Sequence, residues 1–202
     1  MLFRSEADEY RLASYGILFA WVLLFLGALF ALVTRQDPVA VLPPLERAVT
    51  AISFFLLAWA MMGPISQRWQ RLVNMLVLIG TILVVLGYTI SGFEWARQAA
   101  ITDFNLTSFG SIWVFLAAAI ALIGAITMLL GYRVIRDAPL KFTFFMILLA
   151  GFGGTLIRML NGGLIGNDLG LGRLALAFAV PIIPVLVYRL QLAHFETLVA
   201  RT

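Results

Sequence analysis

The sequence predicts an all-α, polytopic membrane bundle of about six transmembrane helices with both termini in the cytoplasm. Three observations predict it. Of the 202 residues, 62% are apolar and only 12% charged, and the mean hydropathy is +1.01. Soluble domains average about 45–50% apolar and about 25% charged, so no soluble core of this length could hide such a surface. The apolar residues are gathered into six runs, each near the roughly 20 residues a helix needs to cross the hydrocarbon. Finally, the charges stand between those runs, mostly singly, as loop charges that set orientation do.

The whole chain, 1–202, reads as a single transmembrane domain. The first span, 13–34, follows Arg11 and ends at Thr34-Arg35-Gln36-Asp37-Pro38. It is longer than a signal-peptide core and lacks a small-residue cleavage site. The second, 47–65, opens after Pro43-Pro44 and stops at Gly63-Pro64; the third, 72–92, ends near Gly92-Phe93-Glu94. The fourth, 109–132, closes at Tyr132-Arg133, and Asp137-Ala138-Pro139 introduces the fifth, 140–160. Asn161-Gly162-Gly163 and Gly170-Leu171-Gly172-Arg173 separate it from the sixth, 174–192. No run alternates as a barrel strand would.

Loop charge sets the orientation. One side carries nine basic residues: Arg4, Arg11, Arg68, Arg71, Arg133, Arg136, Lys141, Arg189 and Arg201. The other carries five: Arg35, Arg47, Arg97, Arg158 and Arg173. The positive-inside rule makes the first side cytoplasmic. Loops one (35–46), three (93–108) and five (161–173) then face outward, and they are the longer, mixed-polarity ones, the kind that carries function.

The residue inventory excludes most chemistry. Cysteine is absent and histidine occurs once, as His194 beside Phe195 and Glu196, so thiol catalysis, paired-histidine haem and zinc are not expected. No H-E-x-x-H, paired glutamates or Ser–His arrangement lies in a span. No Asp or Glu sits at mid-span, where proton relays and pumps place one. The chain reads as a non-enzyme with no cofactor, no metal and no nucleic-acid partner.

Polar and aromatic residues at the outer ends instead suggest a small-ligand vestibule: Glu46, Arg47, Glu94, Trp95, Asp103, Asn105, Trp113, Arg158, Asn161, Asp168 and Arg173. Arg158 in the last turn of the fifth span and Arg173 at the start of the sixth would floor it with acids from loops one and three. Against this stand the ordinary roles of such residues, arginines that snorkel and a belt of interfacial aromatics. Gly151-Phe152-Gly153-Gly154 permits close helix approach. Pro181 and Pro184 remove two amide donors from the sixth span and predict a kink or hinge there. A trailing helix, 185–202, continues without a breaker toward the cytoplasm.

Several of these segments carry a resemblance. Leu42-Pro43-Pro44-Leu45-Glu46-Arg47-Ala48, Phe104-Asn105 leading to Trp113, and Gly172-Arg173-Leu174-Ala175 with Pro181-Ile182-Ile183-Pro184 and Tyr188-Arg189 resemble the N-terminal multi-helix membrane input region of bacterial signalling proteins. In those proteins the region precedes GAF or PAS modules and histidine-kinase or diguanylate-cyclase output. The likeness covers roughly residues 42–192. It implies a sensor in the bacterial inner (plasma) membrane, working in the lipid bilayer, whose last helix relays a stimulus to a cytoplasmic output domain or partner. This chain departs from the pattern in stopping at Thr202, without output sequence. A homodimer joined through the trailing helix would suit that role. An accessory subunit of a membrane complex holding lipid or quinone is the alternative, and a small transporter the third.

Overall fold

A backbone in hydrocarbon has no water to bond, so a continuous apolar run satisfies its own amides by coiling into a helix. The structure, a computed structural model, describes residues 6–34, 38–62, 67–162, 166 and 170–199. The helices are α1 (Glu6–Val33), α2 (Pro38–Met62), α3 (Gln67–Gln98), α4 (Ser108–Leu130), α5 (Ala138–Leu160), α6 (Leu171–Ala179) and α7 (Ile182–Val199), with a 3-10 turn at Phe104–Leu106. No strand occurs among the described residues. Six stretches are long and apolar enough to cross a membrane; α6 and α7 together form the sixth.

The helices run up and down, which gives the bundle two ends. The loop end gathers the last turns of α1, α3 and α5 and the first turns of α2, α4 and α6; the terminal end gathers the opposite turns, with the start of α1 and the end of α7. α2 is the hub, packing against α1, α3 and α4, while α4 packs on α5 and α5 on α6. Accordingly 56% of the α2 span is buried against only 6% of the α3 span. The main core joins Phe54, Leu57 and Met61 of α2 to Val114, Ala121 and Met128 of α4 and to Phe144, Leu148 and Phe152 of α5. A second cluster near the loop end sets Ala48 and Ala51 against Val84, Trp95, Phe104 and Trp113.

Small residues decide how close the helices come. A Cβ on Gly16 would lie 2.6 Å from Leu56 Cδ1, and one on Gly27 would lie 2.5 Å from Leu45 Cδ2. These two glycines let α1 lie flat on α2, running antiparallel to it. Of the glycines in the fifth span, Gly151 meets Ala175 and the Leu171 carbonyl, and Gly154 lies near Leu171 Cδ1. Gly153 has nothing within 4 Å, so the close approach to α6 rests chiefly on Gly151.

Two sequence expectations change. The second span was expected to open at residue 47, after a loop at 35–46, yet α2 begins at Pro38 and runs through Pro43 and Pro44. A proline fits the first helical position, and the tandem pair costs two early amide bonds. Both prolines are buried, and Leu45 packs into a cluster with Ala20 and Val49, so packing outweighs the lost bonds. Lys141, counted as a loop charge, is 1% exposed, its ammonium 5.9 Å from the Tyr10 ring centroid. It continues the buried stripe Phe144, Phe145, Leu148, Gly151, Phe152 and Thr155 of α5. The sixth span loosens at the prolines, as expected: α6 ends at Ala179 and α7 resumes at Ile182, with Val180 keeping right-handed helical angles and its amide hydrogen bond to the Leu176 carbonyl. Pro181 cannot donate to a preceding carbonyl, and Pro184 sits harmlessly in the first turn of α7. The trailing helix belongs to α7, whose Leu192, Phe195 and Glu196 are exposed. Residues 35–37, 200–202 and the side chain of His194 lie outside the described residues.

Candidate functional site

The loop end gathers chemistry from four stretches of chain. α2 delivers Glu46 and Arg47 side by side. The α3–α4 connection contributes Asp103 and Asn105, held by the 3-10 turn. Thr107 closes that turn: its hydroxyl bonds the Phe104 carbonyl at 2.7 Å and accepts the Gly110 amide at 3.1 Å. It is thus the N-cap of α4, satisfying an amide that the helix leaves open. Gly110 must be small, because a Cβ there would collide with the Phe104 carbonyl.

Arg47 is 2% exposed and donates from Nη2 to Asn105 Oδ1 at 2.8 Å. Its guanidinium carbon lies 6.0 Å from the Phe104 ring centroid, within cation–π range. Phe104 in turn meets Trp95 edge-on at 5.1 Å. Trp113 closes the same cluster and donates its indole N–H to Ser91 Oγ at 3.3 Å. A charge is tolerated here because it is bonded and covered by aromatic faces.

The fifth connection is stitched to the third at Gly166. Its amide donates to Asp103 Oδ2 at 3.1 Å, and its carbonyl accepts from the Asn105 amide at 3.3 Å. Gly166 has φ +107°, open to glycine and strained for other residues. Arg173, in the first turn of α6, then grips Glu46 with both forks, Nε to Oε1 and Nη2 to Oε2, each at 3.0 Å. Bidentate geometry fixes direction as well as distance. Beneath it Thr155, wholly buried, accepts the Gly172 amide at 3.1 Å and donates to the Gly151 carbonyl at 2.8 Å. A side chain of α5 thereby satisfies an open amide of α6.

Of the residues expected to line a vestibule, the structure brings together Glu46, Arg47, Trp95, Asp103, Asn105, Trp113 and Arg173. They bond and pack against one another, so the cluster is a fastening across the bundle. Glu94 stays on its own helix, bonded to Gln98 at 2.9 Å and 3.8 Å from Arg97. Arg158 and Asn161 are exposed at the end of α5 and are not joined to this network by any bond among the described residues. Asp168 lies outside the described residues.

Residues outside that set also join the fabric. Asn74 of α3 accepts the Trp59 indole N–H at 2.8 Å, an interhelical bond between the end of α2 and the start of α3. Asp137, at φ +53° before α5, binds Arg189 of α7 at 2.9 Å. An Asn or Asp at a span edge is a signal a sequence offers, but its partner is not. No protein-family model matches the chain, and no characterised protein or solved structure matches it either.

Proposed function

We propose that the chain is a membrane input region that relays a stimulus from its loop end, facing outward, to α7 on the cytoplasmic side. One observation carries this reading. α6 is fastened to the loop-end cluster by Arg173–Glu46 and Thr155–Gly172, and it breaks from α7 at Val180–Pro181. Each half of the sixth span thus has its own attachments, and a shift of the cap can reach α7 through a two-residue joint. Proline breaks are where a helix changes direction at least cost. The resemblance of residues 42–192 to bacterial sensor input regions and the nine-to-five basic bias support the same assignment, with the termini in the cytoplasm of a bacterial inner membrane.

The relay is tested with spin labels at Leu129 of α4 and Leu192 of α7, both exposed. Glu46→Gln should shift or broaden the distance distribution between them. An unchanged distribution, with the variant folded and inserted, would refute the relay. A reporter joined after Thr202 and active only outside the cytoplasm would refute the orientation.

A second reading, an accessory subunit that holds lipid or quinone within a membrane complex, is favoured by the wide exposed apolar faces of α1 and α3. Stoichiometric proteins co-purifying in mild detergent would favour it over the sensor, which should come away alone or as a homodimer.

A further inference from the structure

Among the described residues, α3 and α4 are consecutive long helices that touch mainly through Trp113, which meets Val84 and Ser91. Both lean on α2, yet they do not pack closely together. Between them runs a cavity of about 310 Å³, the low end of the range for small-ligand sites. It extends from Ile90 to Gly80 along α3 and from Phe109 to Leu116 along α4, with Phe55 of α2 at its back. All of its lining residues are apolar or glycine, apart from the indole of Trp113, whose N–H is already given to Ser91. The rim residues Leu83, Ile90 and Ile112 are exposed, so the cavity opens sideways and continues the apolar outer surface of α3 and α4.

Its proportions name its occupant. Ten residues of α3 at 1.5 Å each make a slot of about 15 Å, long for its volume of about 310 Å³. A flexible hydrocarbon chain suits a long, wholly apolar slot that opens along its side. The slot lies along the helix axes, with one end at Phe109 in the first turn of α4 and the other at Gly80, just past the middle of the α3 span. A chain anchored at the loop-end interface and pointing to the bilayer centre lies the same way.

We propose that this slot is a binding site for one acyl chain of a membrane phospholipid, entering sideways between α3 and α4 with its headgroup at the loop end. The proposal rests on reading the six helices as membrane spans. It also gives the sensor reading a physical input, because Trp113, a wall of the slot, belongs to the same cluster as Trp95 and Phe104 beneath Arg47. An acyl chain held there bears on the cap from below.

The test uses the full chain in vesicles of phosphatidylethanolamine and phosphatidylglycerol, with a trace of phospholipid carrying a photoactivatable diazirine at mid-chain. Adducts are mapped by mass spectrometry. Labelling on residues 80–90 and 109–116 should exceed that on the lipid-facing run 18–32 of α1 several-fold. Gly87→Leu should reduce slot labelling several-fold, since a Cβ there makes only ordinary contact with the Trp113 ring, at 3.5 Å. Ile112→Trp, a rim change, should do likewise and replaces Gly87→Leu if that variant does not fold. Gly153→Leu, facing open space, should leave labelling unchanged. Equal labelling of slot and α1, or indifference to both filling variants, would overturn the proposal. Competition by an excess of isoprenoid quinone would also overturn it, reassigning the slot to an isoprenoid. Failure of the chain to insert at all would overturn the membrane reading itself, a result distinguishable from either.

Discussion

At the loop end, side chains from α2, the α3–α4 turn and α6 bond across the bundle, whereas at the terminal end the bonds join helices in pairs, Trp59 of α2 with Asn74 of α3 and one carboxylate of α5's N-cap with α7. Arg47, Asn105 and Thr155 of the first group are buried, so breaking their bonds strands polar groups away from water. At the terminal end, Asp137 holds Arg189, whose side chain is 55% exposed, at 2.9 Å, and Arg136 reaches the Arg189 carbonyl at 3.4 Å. Water can replace those bonds at little cost. The contrast teaches where this molecule is fixed and where it is free to move. The half of the sixth span nearer the loops is locked, and the half beyond Pro181 is lightly held.

Four substitutions test that contrast, from the strongest effect to the weakest. Asn105→Leu removes the acceptor of a buried guanidinium and should cost about 2–3 kcal/mol, read as a lowered thermal midpoint in detergent. A loss no larger than that of a surface variant would mean that the cap is not what fixes the loop end. Gly151→Leu drives a side chain into Ala175 and the Leu171 carbonyl and should cost about 1–2 kcal/mol through overpacking. Solvent or probe access at Leu174 should rise with it, because α6 is pushed from α5.

Glu46→Gln comes third, at about 0.5–1 kcal/mol, since the pair it breaks is partly exposed. Wild type in 1 M salt should approach the variant measured at low salt, because exposed pairs are screened; buried Arg47–Asn105 should not respond. Asp137→Asn keeps a residue that tolerates the left-handed backbone while removing the charge. It should change the midpoint by only about 0.3 kcal/mol, yet a spin label at Leu192 should gain mobility. If that label stays as it was, α7 is held by its apolar contacts and the contrast between the two ends weakens.

How much of this was legible beforehand depends on range. Helix number followed from composition alone, because about 20 apolar residues in a row have one stable conformation in lipid. The start of α2 did not follow, because Pro43-Pro44 punctuates a sequence locally while the packing that overrides it comes from α1 and α3. Buried Arg47 and Lys141 were misjudged for a related reason. Counting charges by loop treats every basic residue as solvent-facing, although both continue a buried helical stripe, Arg47 with Ala51, Phe54 and Ala58, and Lys141 with Phe144 and Leu148.

Glu46 and Arg173 were placed at the same end by topology, but their bond spans 127 positions, and nothing local specifies a partner at that distance. Arg158 shows the converse. It sits one turn from buried Thr155, and only the end of α5 packing leaves it outside. The α3–α4 slot was invisible in sequence, since adjacency along the chain promised close packing that the fold makes only around Trp113.

The long reach of the cap bonds has a consequence for how the protein is made. A chain grows from its N-terminus at about 5–20 residues per second. Arg47 donates to a residue 58 positions later, so at that rate it waits about 3–12 seconds for its acceptor to be synthesised. Glu46 waits for Arg173, 127 positions on, or about 6–25 seconds. For that interval α2 carries two adjacent charges that the finished molecule neutralises only across its width. The pair is of opposite sign and lies near the end of the span, so the nascent hairpin of α1 and α2 can keep both charges at the membrane surface. Of the cap bonds, Arg173 to Glu46 is then the last to form, and the pair of α7 with Asp137 follows only when Arg189 has been made.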